Sequence, residues 1–217
     1  MPIPLIIGAI GAIGSAIGAA TAGGAATAVI AAAATAAVAG IGIAAYKKAT
    51  FKPANKDDYA DFTILLLGEQ AAGKDTVMKS LEDKGFPSGH TITVKHDTIT
   101  SNVEGKIIKI INTSGSESTF TNTEEARNLS HNIRCYVFDA REFYKDKKIK
   151  MGIIDSINEC QQRGITLITI GTRGAEVSDI NKIENEIRGL GVYCKIFEFK
   201  NNPREDLITY IFEECMK

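Results

Sequence analysis

One short run limits what this chain can become: Gly68-Glu69-Gln70-Ala71-Ala72-Gly73-Lys74-Asp75-Thr76, set between the apolar stretch Phe62 to Leu67 and a stretch of helical pattern. Strand, glycine loop and helix in that order are what a phosphate cradle requires. Glycines let backbone N–H groups close around phosphate oxygens, the lysine adds a mobile positive charge, and the following helix points its positive end at the ligand. The spacing predicts that residues 68 to 76 grip the polyphosphate of a nucleoside triphosphate. Gly68, Glu69, Gln70, Ala71, Ala72 and Gly73 form the cage, and Lys74, Asp75 and Thr76 form its charged lip. Position 75 departs from the usual pattern, where a Ser or Thr hydroxyl holds Mg²⁺; here it is a carboxylate.

Charge divides the chain sharply. Residues 1 to 46 contain no Asp, Glu, Lys or Arg, so all 25 basic and 26 acidic residues lie beyond them. This arm is Ala, Gly and Ile with few polar interruptions, long enough for two membrane-crossing helices of about 20 residues each. Gly23-Gly24 marks a bend between them. A helical hairpin over residues 3 to 46 would return both ends to one side, and Lys47, Lys48, Lys52 and Lys56 would keep that side cytoplasmic. Gly8, Gly11, Gly14 and Gly18 form a small-residue stripe that lets helices approach closely and assemble into a homo-oligomer. The same composition also fits a low-complexity, amyloid-prone or oligomer-core arm. It does not fit a secretory signal, since no basic segment precedes an apolar run this long.

Residues 47 to 59, with Pro53 and alternating charge, read as a linker to a domain at 60 to 217. A net charge of −1 gives no electrostatic footprint for nucleic acid. Cys135, Cys160, Cys194 and Cys215 are widely spaced without a Cys-x-x-Cys pair, which suits reduced thiols in a cytosol-facing domain.

Within the domain, strand-like runs rich in β-branched and aromatic residues occur at 62–67, 91–95, 106–111, 133–138, 167–170 and 193–199. Helical patterns fall at 75–82, 123–130, 149–162, 177–190 and 204–214. This alternation predicts an α/β fold with a doubly wound, mostly parallel six-stranded sheet. The exception lies around residues 91 to 111, where Asn102 to Gly105 turn the chain back into one antiparallel hairpin.

Such a loop, hairpin and third strand ending in Asn112-Thr113-Ser114-Gly115 resemble the small GTPases of the Ras and Arf kind, over residues 60 to 217. The resemblance implies GTP, or ATP, and Mg²⁺ as ligands. In that family the third strand ends D-x-x-G, its Asp backing the metal and its Gly sensing the γ-phosphate. Here Gly115 keeps the second role, and Asn112 replaces the acid that Asp75 restores from the loop. Asp75, with or without Thr76, is thus expected to meet the metal directly; without a metal it would oppose phosphate. Thr91 or Thr93 is the candidate for the family's metal-capping threonine.

Ser116 stands where a water-orienting glutamine is common, so turnover beside Lys74 is expected to be slow or partner-stimulated. Thr172-Arg173-Gly174-Ala175 occupies the place of the base-reading N/T-K-x-D. Thr172 and Arg173 fit, Ala175 replaces the aspartate, and Glu176 is the nearest substitute. Asn201 or Asn202 lies where the last base-contacting loop of the family falls.

The resulting expectation is a membrane-associated, GTP-binding switch that faces the cytoplasm. Two rivals remain open. One is a nucleotide-gated, oligomerising or pore-forming module without turnover. The other is a nucleoside monophosphate kinase-like phosphotransferase, because an Asp after the loop lysine resembles that group, although no arginine-paired lid is visible.

Overall fold

The computed structural model describes residues 42–84, 97–113 and 129–215. The expected arm hairpin, the strand at 91–95, Thr91, Thr93, Gly115, Ser116 and most of the helix at 123–130 lie outside those residues.

Phe62–Leu67 (β2) is a nearly continuous apolar run buried along its length, as a strand covered on both faces must be. It lies between Lys106–Asn112 (β4) and Ile133–Asp139 (β5), parallel to both. Thr166–Thr172 (β6) and Tyr193–Ile196 (β7) extend the parallel set. Asp97–Val103 (β3) pairs antiparallel with β4 through the expected turn, where Gly105 has φ 83° and its N–H donates to Asn102 Oδ1 at 3.0 Å.

Lys52–Pro53 (β1) then adds a short antiparallel strand to β3, so the sheet has seven strands in the order β1-β3-β4-β2-β5-β6-β7. The sequence pattern predicted six. A two-residue strand holding a proline carries no periodicity to read.

Two apolar clusters cover the two faces of this mainly parallel sheet. Ile43–Lys47 (α1), Lys74–Leu81 (α2) and Arg204–Cys215 (α5) share one through Tyr46, Val77, Leu81, Leu207, Ile211 and Phe212. Lys147–Arg163 (α3) and Ile180–Arg188 (α4) share the other through Ile149, Ile153, Ile157, Ile183 and Ile187. Asp146 caps α3 at the Lys148 N–H, and left-handed Gly164 ends it. The predicted helix over 177–190 starts later, because Asp179 caps α4 at Lys182 and a 3₁₀ turn occupies Gly174–Glu176.

The end of the segment read as a membrane arm and the start of the one read as a linker are packed against the domain. Tyr46 is fully buried and stacks on Phe212 with ring centroids 4.0 Å apart; Ala49 and Phe51 are also buried. Arg204 ties three pieces of chain together. Its Nη1 donates to Lys47 O at 2.7 Å, its Nη2 to Ala49 O, and its Nε to Leu81 O at the end of α2 at 3.2 Å. Residues 42 to 53 are therefore a strap across the α2–α5 face and the sheet edge. Among the described residues, no helix is long and apolar enough to cross a membrane.

Because Tyr46 is fully buried against Phe212, Tyr46→Ala is expected to lower stability by about 3 kcal/mol in urea unfolding. A loss below about 1 kcal/mol would mean that the strap contributes little to the fold.

Candidate functional site

The glycine loop leaves β2 at the carboxyl ends of the parallel strands, where neighbouring strand ends press against it. Gly68 has φ 146°, and a Cβ there would stand 2.0 Å from the Val137 carbonyl oxygen on β5. No side chain fits. Gly73 has φ 97°, and a Cβ would stand 2.8 Å from Thr172 Cγ2 on β6. Both glycines are thus required by close approach as well as by backbone angle. Ala71, at φ 61°, is a non-glycine held in the left-handed region, a cost on the order of 1 kcal/mol that the surrounding packing must offset.

Thr172 braces this loop from below. It is buried, and its hydroxyl donates to Ala72 O at 2.8 Å, with Phe138 O at 3.3 Å. In this arrangement its hydroxyl is committed to the loop carbonyl. Glu69 is half-buried, Gln70 and Ala71 are exposed, and Ala72 is buried.

Lys74 begins α2 and folds back over the loop, its Nζ donating to Gly68 O at 2.7 Å and Glu69 O at 2.9 Å. Burial pulls its ammonium down to about 8, while the charges of Asp75 and Glu69 act in the opposite direction. A desolvated cation whose hydrogen bonds go to neutral carbonyls has much to gain from an anionic ligand.

Asp75, in the first turn of α2, accepts a hydrogen bond from Asn112 Nδ2 at 2.6 Å. The structure therefore joins the two positions that had been read as an exchanged acid. Because Asp75 accepts, Nδ2 must face it, and the amide oxygen of Asn112 is directed elsewhere. That oxygen is buried and has no hydrogen-bond partner among the described residues, while Asn112 as a whole is only 1% exposed. A carboxylate beside an orphaned buried carbonyl oxygen is a hard-oxygen donor set, so these residues fit Mg²⁺ or a water bound to it. Thr76 sits half-buried on the same turn.

At the other side of the loop, Asp139 ends β5 and collects both nearby arginines. Arg141 Nη2 lies 2.8 Å from its Oδ2, Arg173 Nη1 donates to the same oxygen, and Arg141 Nη1 reaches Glu176 at 2.9 Å. Burial raises the Asp139 carboxyl, but hydrogen bonds from Arg141 and the charges of Arg173 and Arg141 together hold it below its ordinary value. Arg173 is itself left-handed at φ 60°. The Ala175 N–H donates to Glu198 at 3.1 Å, which fixes the loop after β6 to the one after β7. Asn201 and Asn202 follow in that second loop and are exposed.

No known protein family matches this sequence, and no curated protein matches it.

The loop, Lys74, Asp75, Asn112, Thr172 and Arg173 thus converge at one end of the sheet. Reading the sequence missed Asp139 as the anchor of Arg173. A carboxylate ending a strand beside the loop strand was the available signal.

Between about pH 8 and 10.5 the folded chain holds fewer protons at Lys74 than the unfolded chain does. Stability from this group is therefore complete above pH 10.5 and is lost as pH falls to about 8. Denaturant titrations should show wild type gaining on the order of 3 kcal/mol over Lys74→Met across that interval. Parallel curves for the two proteins would contradict the buried placement of the amine.

Proposed function

We propose that this chain is a nucleoside triphosphate-binding switch of the Ras- and Arf-like kind, binding GTP in preference to ATP together with Mg²⁺ and hydrolysing it slowly. The single observation that supports it best is the loop itself. Gly68 and Gly73 have no room for a side chain, Lys74 is folded over the loop, and Thr172 supports the loop from a neighbouring strand.

In this reading the backbone N–H groups of residues 68 to 76 hold the phosphates, and Lys74 exchanges its carbonyl partners for phosphate oxygens. Asp75 and Thr76 hold Mg²⁺, which neutralises phosphate charge when bound, and Asn112 Oδ1 accepts from a water at its edge. Gly115 senses the terminal phosphate. The slow turnover follows from Ser116, which has no amide to orient water.

The base lies over the stem of Arg173, whose guanidinium Asp139 holds in place. Glu176 accepts from Arg141 on Oε2 and presents Oε1 as acceptor to the N–H donors of guanine in place of the missing aspartate. We assign residues 3 to 41 to membrane insertion and self-assembly, with the nucleotide domain on the cytoplasmic side. The packed strap at 42 to 53 joins that arm to the domain through a fixed point of departure.

Titration with fluorescent GTP and ATP, with and without Mg²⁺, tests this directly. Metal-dependent binding with GTP the tighter ligand is expected, and Lys74→Ala should weaken it about ten- to a hundredfold. Absence of affinity for any purine triphosphate at saturating Mg²⁺ would overturn the reading. Transfer of phosphate to a nucleoside monophosphate would replace it with the kinase-like one.

A further inference from the structure

The tip of the phosphate loop presents one polar side chain that the fold leaves uncommitted. The Ala72 N–H donates to Glu69 O at 3.3 Å, which closes residues 69 to 72 into a four-residue turn with Gln70 and Ala71 at its centre. Ala71 fills the left-handed third place, which turns of this kind ordinarily give to Gly or Asn, so the surroundings must hold the turn in shape. Two braces do so. Lys74 Nζ donates to Glu69 O at 2.9 Å, and the Thr172 hydroxyl donates to Ala72 O at 2.8 Å from β6. Both ends of the turn are therefore pinned, and of residues 68 to 76 only Gln70 and Ala71 are exposed.

Gln70 carries the one side-chain amide in this run, and it makes no hydrogen bond among the described residues. Its neighbour Glu69 is turned inward. That carboxylate is half-buried, and its charge acts on Lys74 and on the buried Tyr136 of β5.

We propose that Gln70 is a catalytic residue of this site, its amide orienting the water that Ser116 has no amide to orient. This rests on the nucleotide reading. The Lys74 amine, which stands over the carbonyls of Gly68 and Glu69, marks where the terminal phosphates lie, one residue from Gln70. A glutamine amide has an acceptor oxygen and two N–H donors, so it accepts from the attacking water and donates to a terminal phosphate oxygen at once. The water oxygen then bonds to the terminal phosphorus while the bond from that phosphorus to the bridging oxygen breaks. The bridging oxygen leaves with the electron pair as part of the diphosphate, and one water proton passes to a phosphate oxygen. The pinned backbone aims the amide at this step, but an exposed side chain with free rotamers is ordered only once substrate binds, which keeps turnover slow.

Single-turnover hydrolysis of GTP by the full chain with Mg²⁺, set beside affinity for a fluorescent non-hydrolysable GTP analogue, tests the assignment. Gln70→Ala should hydrolyse at least about tenfold more slowly at saturation, with Kd within about twofold of wild type. Gln70→Glu keeps the shape of the side chain but loses its donor, and should be as slow. Gln161→Ala, which removes an exposed amide from α3, should match wild type in both measurements. Thermal melting shows that each variant is folded; should Gln70→Ala melt early, Gln70→Glu decides. Wild-type turnover in the Gln70 variants would overturn the assignment, as would a change confined to affinity. A wild-type protein that binds nucleotide and never turns it over would also overturn it while the binding reading stands. A protein without affinity for any purine triphosphate would end both.

Discussion

A hydroxyl on β6 holds a carbonyl on the loop that follows β2, and most of the site depends on that bond. Thr172 reaches Ala72 across β5, whose Val137 carbonyl already leaves no space beside Gly68. The loop is therefore fixed by three adjacent strand ends and cannot relax into an ordinary turn. Left-handed Ala71 and Gly73 follow from this constraint, as does the start of α2 beneath the loop. Lys74 then has few places to put its amine. It lies in a desolvated position over carbonyl oxygens, where its charge is held poorly.

The second organising feature is where negative charge has been placed. Asp75 and Asn112 face one another with the carboxylate on the helix and the amide on the strand. An amide can donate to the carboxylate on one side and still accept on the other, which an aspartate at position 112 could not do while ionised. The exchange therefore leaves a buried acceptor.

Much of this was legible in the sequence. The alternation of apolar runs with helical patterns gave the parallel sheet, and the Asn102 to Gly105 turn gave the hairpin, because both signals are local. The strap was not legible. Tyr46, Ala49 and Phe51 lie near Pro53 and several lysines, and only the distant Phe212 and Arg204 show why they are buried. Thr172 was read as a base contact from its place at the end of the strand that starts near residue 167. Its bond to Ala72 depends on residues 100 positions apart, which no spacing reveals.

The claim at the centre is that backbone N–H groups at residues 68 to 76 enclose a phosphate chain. Amide ¹⁵N–¹H spectra of the domain, recorded as a non-hydrolysable GTP analogue is added with Mg²⁺, read those groups one by one. The account predicts large shifts at Gly73, Lys74 and Asp75, with smaller ones at Thr172 and Asn112, and none of them in Lys74→Ala at the same concentration. Unmoved loop amides, or shifts confined to a surface away from the carboxyl ends of the strands, would contradict it.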